Sequence, residues 1–452
     1  MSTIAAIGTP YGKGGVAMIR ISGSDAFSVA EKIFVPASKE RFAKKLHGTV
    51  YYGSFRDEKG IFDDGICILF ESPHSFTGEN VAELYCHGGT LVTQNLLSAA
   101  LKNGARMATA GEFTRRAFIN GKISLTQAEA IGGIIDSKSE RHLRIASKQA
   151  NGSLSRALGE IYDSLRILAA SVYAYIDYPD EDMTDISVPE MRSRLTELKS
   201  RLDKLKSSHT YGRAISEGIV TAIVGKPNTG KSSLLNRLCG EDRAIVTDIA
   251  GTTRDVVTET VRLGDMILRL SDTAGIRESE DTVEKIGIEK SRKAIEESGL
   301  VLAVFDSSRP LDDDDKTLIN AIKESQKEDK TVCIVNKTDI ASEELNLPFE
   351  RVIKISARNG EGIETLIETV SQMFGAGEIT ENDEIVVNAR QCAAVANAAE
   401  ALESAIDALD GFTQDIAGMD IERALSSIAE ADGRTVSEDI VNEIFSRFCV
   451  GK

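Results

Sequence analysis

The spacing of apolar residues divides the chain into stretches of different periodicity. Residues 1–118 contain short runs in which apolar and polar residues alternate, together with two helical stretches. This mixture predicts an α+β domain. Its strand-like runs are Val16–Ile21, Thr49–Phe55, Ile66–Glu71 and Val81–Cys86.

Residues 119–214 follow a helical period and predict an all-α domain. Thr109 and Glu112, just before this stretch, have the spacing of a capping box. Farther along, leucines recur at three- and four-residue steps, a row that suits either a bundle core or a dimer zipper. We favour the bundle core for Leu195, Leu198, Leu202 and Leu205.

Residues 215–375 alternate apolar strands with helices and predict an α/β domain. Helices return in residues 376–452, with an Ala-rich run at 390–409 and the amphipathic stretch Val436–Phe448. The simplest topology is an α/β domain inserted into a helical domain. Insertion predicts that the two ends of the α/β domain lie close together.

The inserted domain opens on a phosphate-binding motif. GKPNTGKS, Gly225–Ser232, fits the Walker A pattern and follows the apolar strand Ile219–Val224. Backbone N–H groups of such a loop point at phosphate oxygens, and the following helix adds its positive end. Lys231 is predicted to neutralise the β and γ phosphates during catalysis, and Ser232 to ligate Mg²⁺. The order of strand, loop and helix disfavours a chance Gly-rich turn.

Two further motifs complete a guanine-nucleotide site. DTAG, Asp272–Gly275, follows the strand-like run Met266–Leu270, so that Asp272 would stand behind Mg²⁺. NKTD, Asn336–Asp339, follows another apolar run. A carboxylate at Asp339 accepts both N–H groups of guanine, whereas adenine would leave it unpaired. The site is therefore predicted to prefer GTP, with backbone N–H groups of Ser356, Ala357 and Arg358 receiving the guanine oxygen.

The residue that orients the attacking water is left open by spacing. Ile276 stands where Ras-like GTPases carry a glutamine, and it cannot orient water. Glu284 is the nearest acidic candidate, in a segment that reads as the start of a helix. A glutamate there equally serves the helix dipole.

Charge restricts how RNA could be bound. The 452 residues include 53 basic and 70 acidic side chains, a net charge of −17, which disfavours a large phosphate-binding surface. If RNA is the substrate, a local patch or a partner must hold it. The local candidate is a basic row for which a solvated helix face is the favoured interpretation: Lys138, Arg141, Arg144 and Lys148.

Composition also predicts the compartment. No apolar run approaches the ~18 residues of a membrane span, and no secretory signal pattern opens the chain. Six cysteines without a C-x-x-C pair suggest reduced thiols. We therefore expect a cytoplasmic protein without membrane association.

Several blocks together resemble one family. These are TDIAGTTRD (Thr247 to Asp255), Asn228 within the Walker loop, and the terminal FCVGK (Phe448 to Lys452). RISG, SFTGEN and EFTRRAFINGKISLTQAEA near the N-terminus extend the match along the chain. The chain resembles the MnmE (TrmE) family of tRNA-modifying GTPases.

The resemblance implies a potassium ion in place of an arginine finger. Its ligands would be Asn228, Thr247, Ile249 and Thr252, with Thr253 as a second Mg²⁺ ligand beside Ser232 and Glu284 as the catalytic, water-orienting residue. The two G domains of a homodimer would meet during hydrolysis. The full set expected to bind GTP is Asn228, Thr229, Gly230, Lys231, Ser232, Ser233, Thr247, Asp248, Ile249, Ala250, Gly251, Thr252, Thr253, Asp272, Thr273, Ala274, Gly275, Asn336, Lys337, Thr338, Asp339, Ser356, Ala357 and Arg358.

The resemblance also implies a folate site in residues 1–118, the tetrahydrofolate-binding and dimerisation domain. A 5-formyl or methylene form of tetrahydrofolate would be held by Arg20, Glu79, Lys122 and Lys452. An acid that accepts pterin N–H groups and basic groups for carboxylates make chemical sense. Cys449, in the tail, is a candidate for the modification chemistry.

The function implied is modification of tRNA. With the flavoprotein MnmG, in a heterotetramer, such a GTPase adds aminomethyl or carboxymethylaminomethyl groups at C5 of the wobble uridine, using the folate carbon. The alternative is a GTP-switched ribosome-assembly or RNA-binding protein without modification activity. Such proteins usually carry a basic appendage, which this acidic chain lacks. A folate enzyme regulated by GTP, without RNA, is a further alternative.

Overall fold

A computed structural model describes residues 1–39, 42, 44, 46–177, 187–241, 260–270, 292–340, 344–375, 383–411 and 414–451. The chain divides into two compact units. The N-terminal unit comprises Met1–Gly132, Gln149–Tyr162 and Ile428–Lys452, and the G unit comprises Gly133–Lys148 and Asp163–Ser427. The predicted domain boundaries at 118, 214 and 375 stay predictions.

A seven-stranded sheet forms the centre of the N-terminal unit. Its order is β3-β4-β5-β6-β2-β1-β7, antiparallel throughout except for the parallel pair β1 and β7. The strands are β1 (Ile4–Ile7), β2 (Val16–Ser22), β3 (Phe34–Pro36), β4 (Val50–Asp57), β5 (Gly60–Phe70), β6 (Val81–His87) and β7 (Arg106–Met107).

One face of this sheet is covered by two helices, α1 (Ala26–Ile33) and α2 (Thr90–Lys102). The alternation along β2 shows why: Ala17, Ile19 and Ile21 are buried, whereas Val16 on the other face is exposed. Phe34 and Phe55 fill the same core with ring centroids 5.5 Å apart. The sequence period of two therefore sets which face is packed.

Further helices lie among the described residues. Their bounds are α3 (Glu112–Ile119), α4 (Leu125–Asp136), α5 (Glu140–Ala150), α6 (Ser153–Asp177), α7 (Val188–Ser216), α8 (Lys231–Glu241), α9 (Asp313–Glu324), α10 (Ile363–Met373), α11 (Ala389–Gly411), α12 (Gln414–Asp432) and α13 (Glu438–Ser446).

The capping box predicted for Thr109 and Glu112 is wrong. Helix α3 begins at Glu112 itself, after Gly111 at a φ of 63° and without a side-chain cap. The Glu112 carboxylate accepts hydrogen bonds from the backbone N–H and hydroxyl of Thr109, at 3.0 and 3.2 Å, but it also binds two arginines. Ion pairing therefore adds a role that the local spacing did not indicate.

A six-stranded sheet forms the centre of the G unit. Its order is β13-β12-β11-β8-β10-β9, with every pair parallel except β10 and β9. The strands are β8 (Ile219–Val224), β9 (Thr260–Leu263), β10 (Met266–Leu270), β11 (Leu300–Asp306), β12 (Thr331–Asn336) and β13 (Val352–Lys354). This is the α/β domain that the sequence predicts.

Both faces of the parallel sheet are covered. Along β11, Leu302 and Val304 belong to one core cluster, whereas Ala303 and Phe305 belong to another. A strand buried on both sides explains the unbroken apolar run LVLAVFD.

The inserted topology is visible within the G unit. Helix α7 ends at Ser216, three residues before β8 begins. It packs along α11, which follows the predicted α/β domain (residues 215–375, the G domain) in sequence. The chain leaving the sheet binds back to α7, because Val386 N donates to Ser208 Oγ at 3.0 Å. The four predicted core leucines of α7 are all buried within the chain: Leu195, Leu198, Leu202 and Leu205.

None of the helices in the described part of the chain is long and apolar enough to cross a membrane.

Candidate functional site

The Walker loop joins β8 to α8, which begins at Lys231. Gly230 has a φ of 93°, and a Cβ there would lie 2.1 Å from Asn336 Nδ2, so the loop needs glycine at this position. Asn228 also has a positive φ, 64°, and its side chain is exposed. Thr229 is buried, and its hydroxyl donates to the carbonyl of Lys226 at 3.0 Å. Ser232 and Ser233 lie in the first turn of α8.

Lys231 is held against the backbone of its own loop. Its Nζ donates to the carbonyls of Gly225, at 2.7 Å, and Lys226, at 2.6 Å. Burial lowers the pKa of Lys231. A phosphate bound here would give the half-buried Lys231 ammonium an anionic partner.

Lys226 fixes the other side of the loop, a role that the sequence did not reveal. Its Nζ lies 2.5 Å from Asp312 Oδ2 and 2.6 Å from Asp315 Oδ2, at the N-terminus of α9. The Lys226 ammonium holds the pKa of Asp312 at about 2. The Walker motif places no requirement on this position, and its partners are 86 residues away or more, so no local spacing predicts the pair.

The guanine end of the site is assembled by Asn336. This side chain is 2% exposed; its Nδ2 donates to Thr229 O at 2.9 Å, and its Oδ1 accepts from Ala357 N at 3.0 Å. One amide thus joins the Walker loop, the NKTD motif and the loop after β13. Of the three N–H groups predicted to meet the guanine oxygen, that of Ala357 donates to Asn336 and that of Ser356 donates to Glu361 O at 3.0 Å, and the role of the Arg358 N–H stays a prediction.

Asp339 is oriented with one oxygen engaged. Ser356 Oγ donates to its Oδ1 at 2.8 Å, and within the described part of the chain Oδ2 has no protein donor. Asp339 is exposed, which leaves its carboxylate accessible to a nucleotide base. Thr338 N donates to Ile355 O at 3.3 Å, which ties the NKTD turn to the end of β13.

Lys337 leaves this turn in a left-handed conformation, with a φ of 69°, and its Nζ lies 2.6 Å from Asp306 Oδ2. Burial raises the pKa of Asp306, but the hydrogen bonds from Lys337 and Ser308 outweigh it, so the pKa lies below the usual range. The turn is therefore anchored to the end of β11.

Part of the predicted nucleotide site lies outside the described residues. This applies to Glu284 and to Thr247, Asp248, Ile249, Ala250, Gly251, Thr252, Thr253, Asp272, Thr273, Ala274 and Gly275. Their roles stay predictions.

In the N-terminal unit, three of the predicted folate residues meet around the loop of residues 72–80. Arg20 lies over the Phe76 ring, 5.5 Å from its centroid. Lys122 Nζ donates to the carbonyl of Pro73 at 2.9 Å. Glu79 belongs to the loop itself and forms an ion pair with Arg116, with Nη1 and Oε2 2.8 Å apart. The fourth, Lys452, lies outside the described residues.

Arg20 has a protein partner as well. Its Nε donates to Glu83 Oε1 at 2.9 Å, across the β2–β6 pair in which these residues face each other. Its guanidinium also lies 5.7 Å from the Phe113 ring centroid. Glu83 Oε1 thus engages one edge of the guanidinium, through Nε and Nη2, both at 2.9 Å.

The tail that carries Cys449 is anchored on both sides. Phe448 packs against Phe445, with ring centroids 5.4 Å apart, and Val450 forms a bridge with Ala110. Gly451 has a φ of 104°, and a Cβ there would lie 2.1 Å from the carbonyl of Ile7. Cys449 is exposed between these anchors.

The comparisons with known proteins cover both units. The family model described as GTP-binding protein TrmE N-terminus matches residues 3–122, and the MnmE helical domain matches residues 125–449. The tRNA modification GTPase MnmE of Acetivibrio thermocellus is 41% identical over 460 residues, which cover 100% of this chain and 99% of that protein. The protein of the same name from Clostridioides difficile is 40% identical over 461 residues, with the same coverage.

The chain belongs to the MnmE family. It is accordingly a GTPase, with the α+β N-terminal domain, helical domain and inserted P-loop domain that the sequence predicted. Among solved structures, Era of Aquifex aeolicus bound to GDP and AlF4⁻ is 25% identical over 40% of this chain and 66% of that one, with a TM-score of 0.26.

One further cluster of this MnmE-family chain has the composition of a metal site. Asp63, Asp64 and His87 place their ligand atoms within 4.8 Å of one another. Both oxygens of Asp63 already accept from His87, from Nδ1 at 2.8 Å and from the backbone N at 2.9 Å. Asp64 accepts the hydroxyl of Tyr52 at 2.8 Å. An ion pair accounts for the arrangement.

We predict that Asp339→Asn reverses the base preference of the site. The amide cannot accept both guanine N–H groups, so GTP affinity should fall by about two orders of magnitude or more. Its NH₂ can instead donate to the second carbonyl of xanthine, so affinity for xanthosine triphosphate should rise. Dissociation constants of fluorescent GTP, ATP and xanthosine triphosphate measure both changes.

Ser356→Ala is the matched control for Asp339→Asn. It removes the hydroxyl that orients Asp339 but keeps the carboxylate, so affinity should fall a few-fold while GTP stays preferred. An Asp339→Asn variant that binds GTP within twofold of the unaltered chain would refute this account of base recognition.

We predict that His87 titrates above the usual value of about 6.5. The hydrogen bond to Asp63 and its charge raise the pKa of His87, with a smaller contribution from Asp64. A raised pKa means that the ion pair stabilises the fold fully below pH 6.5 and that this contribution is lost as the pH rises through the folded value.

Proton NMR of the imidazole rings would measure this titration, with His87→Gln used for assignment. Asp63→Asn should bring the midpoint down toward 6.5, and Asp64→Asn should change it less. A midpoint at or below 6.5 in the unaltered chain would rule out the ion pair in solution.

Proposed function

We propose that this chain is a potassium-dependent GTPase that acts with the flavoprotein MnmG on tRNA. Together they would install aminomethyl or carboxymethylaminomethyl groups at C5 of the wobble uridine. The observation that carries the proposal is the pairing, in one chain, of an assembled guanine site with an N-terminal unit of the TrmE type. Relatives that match the whole chain are named tRNA modification GTPases.

The nucleotide site supplies positioning and charge. Lys231 would move from its two loop carbonyls to the β and γ phosphates, and Ser232 would give its hydroxyl to Mg²⁺. Asn228 suits the potassium role because its exposed amide stands on a left-handed residue of the loop. The cation would stabilise negative charge on the leaving oxygen as an arginine finger does. Glu284 would orient the attacking water.

The N-terminal unit supplies the folate site. The free edge of Glu79 would accept pterin N–H groups, while Arg20 and Lys122 would meet anionic parts of the ligand. A 5-formyl or methylene tetrahydrofolate supplies the one-carbon unit, and the partner's flavin supplies redox chemistry. Lys452 and Cys449 would contribute from the tail, Cys449 as a candidate for the modification step.

Charge supports the need for a partner that holds tRNA. Two of the four side chains of the basic row pair with acids: Arg144 with Glu140 at 2.5 Å, and Lys148 with Glu384 at 3.1 Å. With a net charge of −17, the chain offers little free positive surface for phosphates. We therefore place tRNA binding largely on MnmG, in a cytoplasmic heterotetramer built on a homodimer of this chain.

We predict that Asn228→Gly abolishes potassium stimulation while GTP still binds. Glycine keeps the φ of 64° without strain but removes the amide oxygen, so the loop should hold its shape. Steady-state GTP hydrolysis in KCl and in NaCl at equal ionic strength should show a large difference for the unaltered chain and none for the variant.

Asn228→Ala is the companion variant, because it removes the same oxygen and also strains the loop. It should lose potassium stimulation and some GTP affinity as well. If Asn228→Gly keeps the potassium response, the amide is not a ligand of the cation. Equal slow rates of the unaltered chain in both salts would remove the potassium mechanism.

The modification itself is tested by reconstitution. Purified chain, flavin-loaded MnmG, methylene tetrahydrofolate, GTP with Mg²⁺ and K⁺, and a tRNA transcript with a wobble uridine should yield an aminomethyl nucleoside when ammonium is the nitrogen donor, or a carboxymethylaminomethyl nucleoside when glycine is, read by mass spectrometry. Omitting MnmG, or replacing Lys231 by Ala, should abolish the product. A complete reaction that leaves the uridine unchanged, although GTP is hydrolysed, would favour an RNA-binding switch instead.

A further inference from the structure

We infer that Arg116, together with Ser22, is a positioning residue for Glu79 and fixes which carboxylate oxygen meets the ligand. The inference rests on the proposed folate site. Neither residue was singled out by the sequence, because Arg116 lies 37 residues from Glu79 along the chain and Ser22 lies 57 residues away.

Arg116 is a buried cation whose partners define its place. Its side chain is 3% exposed. Nη1 donates to Glu79 Oε2 at 2.8 Å, while Nη2 donates to Glu112 Oε1 at 2.9 Å and to the carbonyl of Ser2 at 2.8 Å. A buried guanidinium requires such compensation, and each partner limits its rotation.

Glu112 has a second cationic partner, so it does not depend on the Arg116 guanidinium alone. Arg106 binds both of its oxygens, at 2.8 and 2.5 Å. Burial alone would raise the pKa of Glu112, but hydrogen bonds from Arg106, Thr109 and Arg116 lower it to about 2. Two arginines thus face two carboxylates. Arg106 pairs with Glu112, whereas Arg116 pairs with both Glu112 and Glu79.

Ser22 closes a directed ring of hydrogen bonds on the same oxygen. A carboxylate only accepts, so the Ser22 hydroxyl, buried in β2, donates to Glu79 Oε2 at 2.7 Å. The Thr77 hydroxyl, 2.8 Å away, must then donate to Ser22, and Thr77 Oγ1 accepts from Glu79 N at 3.3 Å. Every direction in the ring requires an acceptor at Oε2.

The consequence is a carboxylate with one committed edge and one open edge. Two donors reach Oε2, and among the described residues none reaches Oε1. The Glu79 side chain as a whole stays 16% exposed, so it is not sealed from solvent. Such a group is fixed before binding, and it suits a ligand that presents N–H donors, as a 2-amino-4-oxopteridine does.

The test measures binding of 5-formyltetrahydrofolate to the full chain by calorimetry. Glu79→Gln should weaken binding, and Arg116→Met should weaken it by about tenfold or more, because a charge-assisted partner of Glu79 is lost. Arg116→Lys keeps the charge but not the forked geometry, so it should recover part of the affinity.

A double-mutant cycle separates positioning from a general structural effect. If Arg116 acts through Glu79, Arg116→Met should add less than about twofold in the Glu79→Gln background. A merely structural role would weaken binding by the same factor in both backgrounds, and that result would overturn the inference.

Arg116→Met leaves the buried Glu112 and the partly buried Glu79 with less compensation, so its fold must be checked by circular dichroism and thermal unfolding. Ser22→Ala provides a milder second variant, since it removes one hydroxyl donor to Oε2 and should weaken binding by about three- to tenfold. Wild-type affinity in both Ser22→Ala and a folded Arg116→Met would overturn the inference.

The outcomes for Glu79 keep the two proposals apart. If Glu79→Gln weakens binding but the Arg116 and Ser22 variants do not, the folate site stands and the positioning role is wrong. If Glu79→Gln binds as tightly as the unaltered chain, or the unaltered chain does not bind the folate, the proposed site and the inference both fail.

Discussion

The buried amide of Asn336 is the interaction on which the nucleotide site depends. Parallel strands deliver their following loops to one edge of a sheet, and β8, β12 and β13 do so for three motifs far apart in sequence. Lying at the same edge of the sheet does not by itself fix the positions of these loops relative to one another. Asn336 sets their spacing by donating to Thr229 and accepting from Ala357, and its 2% exposure means that losing either bond leaves a buried polar atom unpaired.

In the N-terminal unit, a charged side chain holds separate segments of the chain together. Its sheet is antiparallel around Arg20 and Glu83, so the loops are not brought together at a common strand edge. A buried guanidinium does this instead, because Arg116 on α3 reaches the loop of Glu79 and the chain start at Ser2. The Asn336 amide joins neutral backbone groups, whereas the Arg116 guanidinium joins a carboxylate, Glu79, and so also limits its orientation.

The sequence predicted the strands and nucleotide motifs because both are local patterns. β8 and β10 have the predicted bounds, since alternation and flanking glycines are read within ten residues. The sequence did not reveal the roles of Lys226, Ser22 and Arg116, because their partners are distant along the chain and only the fold brings them near. The capping box predicted at Glu112 was wrong for the same reason. Its spacing from Thr109 indicated a helix cap, but in the folded chain two arginines also bind its carboxylate.

Insertion of the G domain has a physical consequence at its exit. The outgoing chain lies directly on the incoming helix, because a Cβ at Gly212 would come within 2.3 Å of Val386 O, and Ser208 accepts from Val386 N. Entry and exit are thus fastened at one place on α7. A rotation of the G domain relative to α7 and α11 must either carry this junction along or break its bonds. The junction is therefore the place where any change in the orientation of the sheet domain would act on the helices.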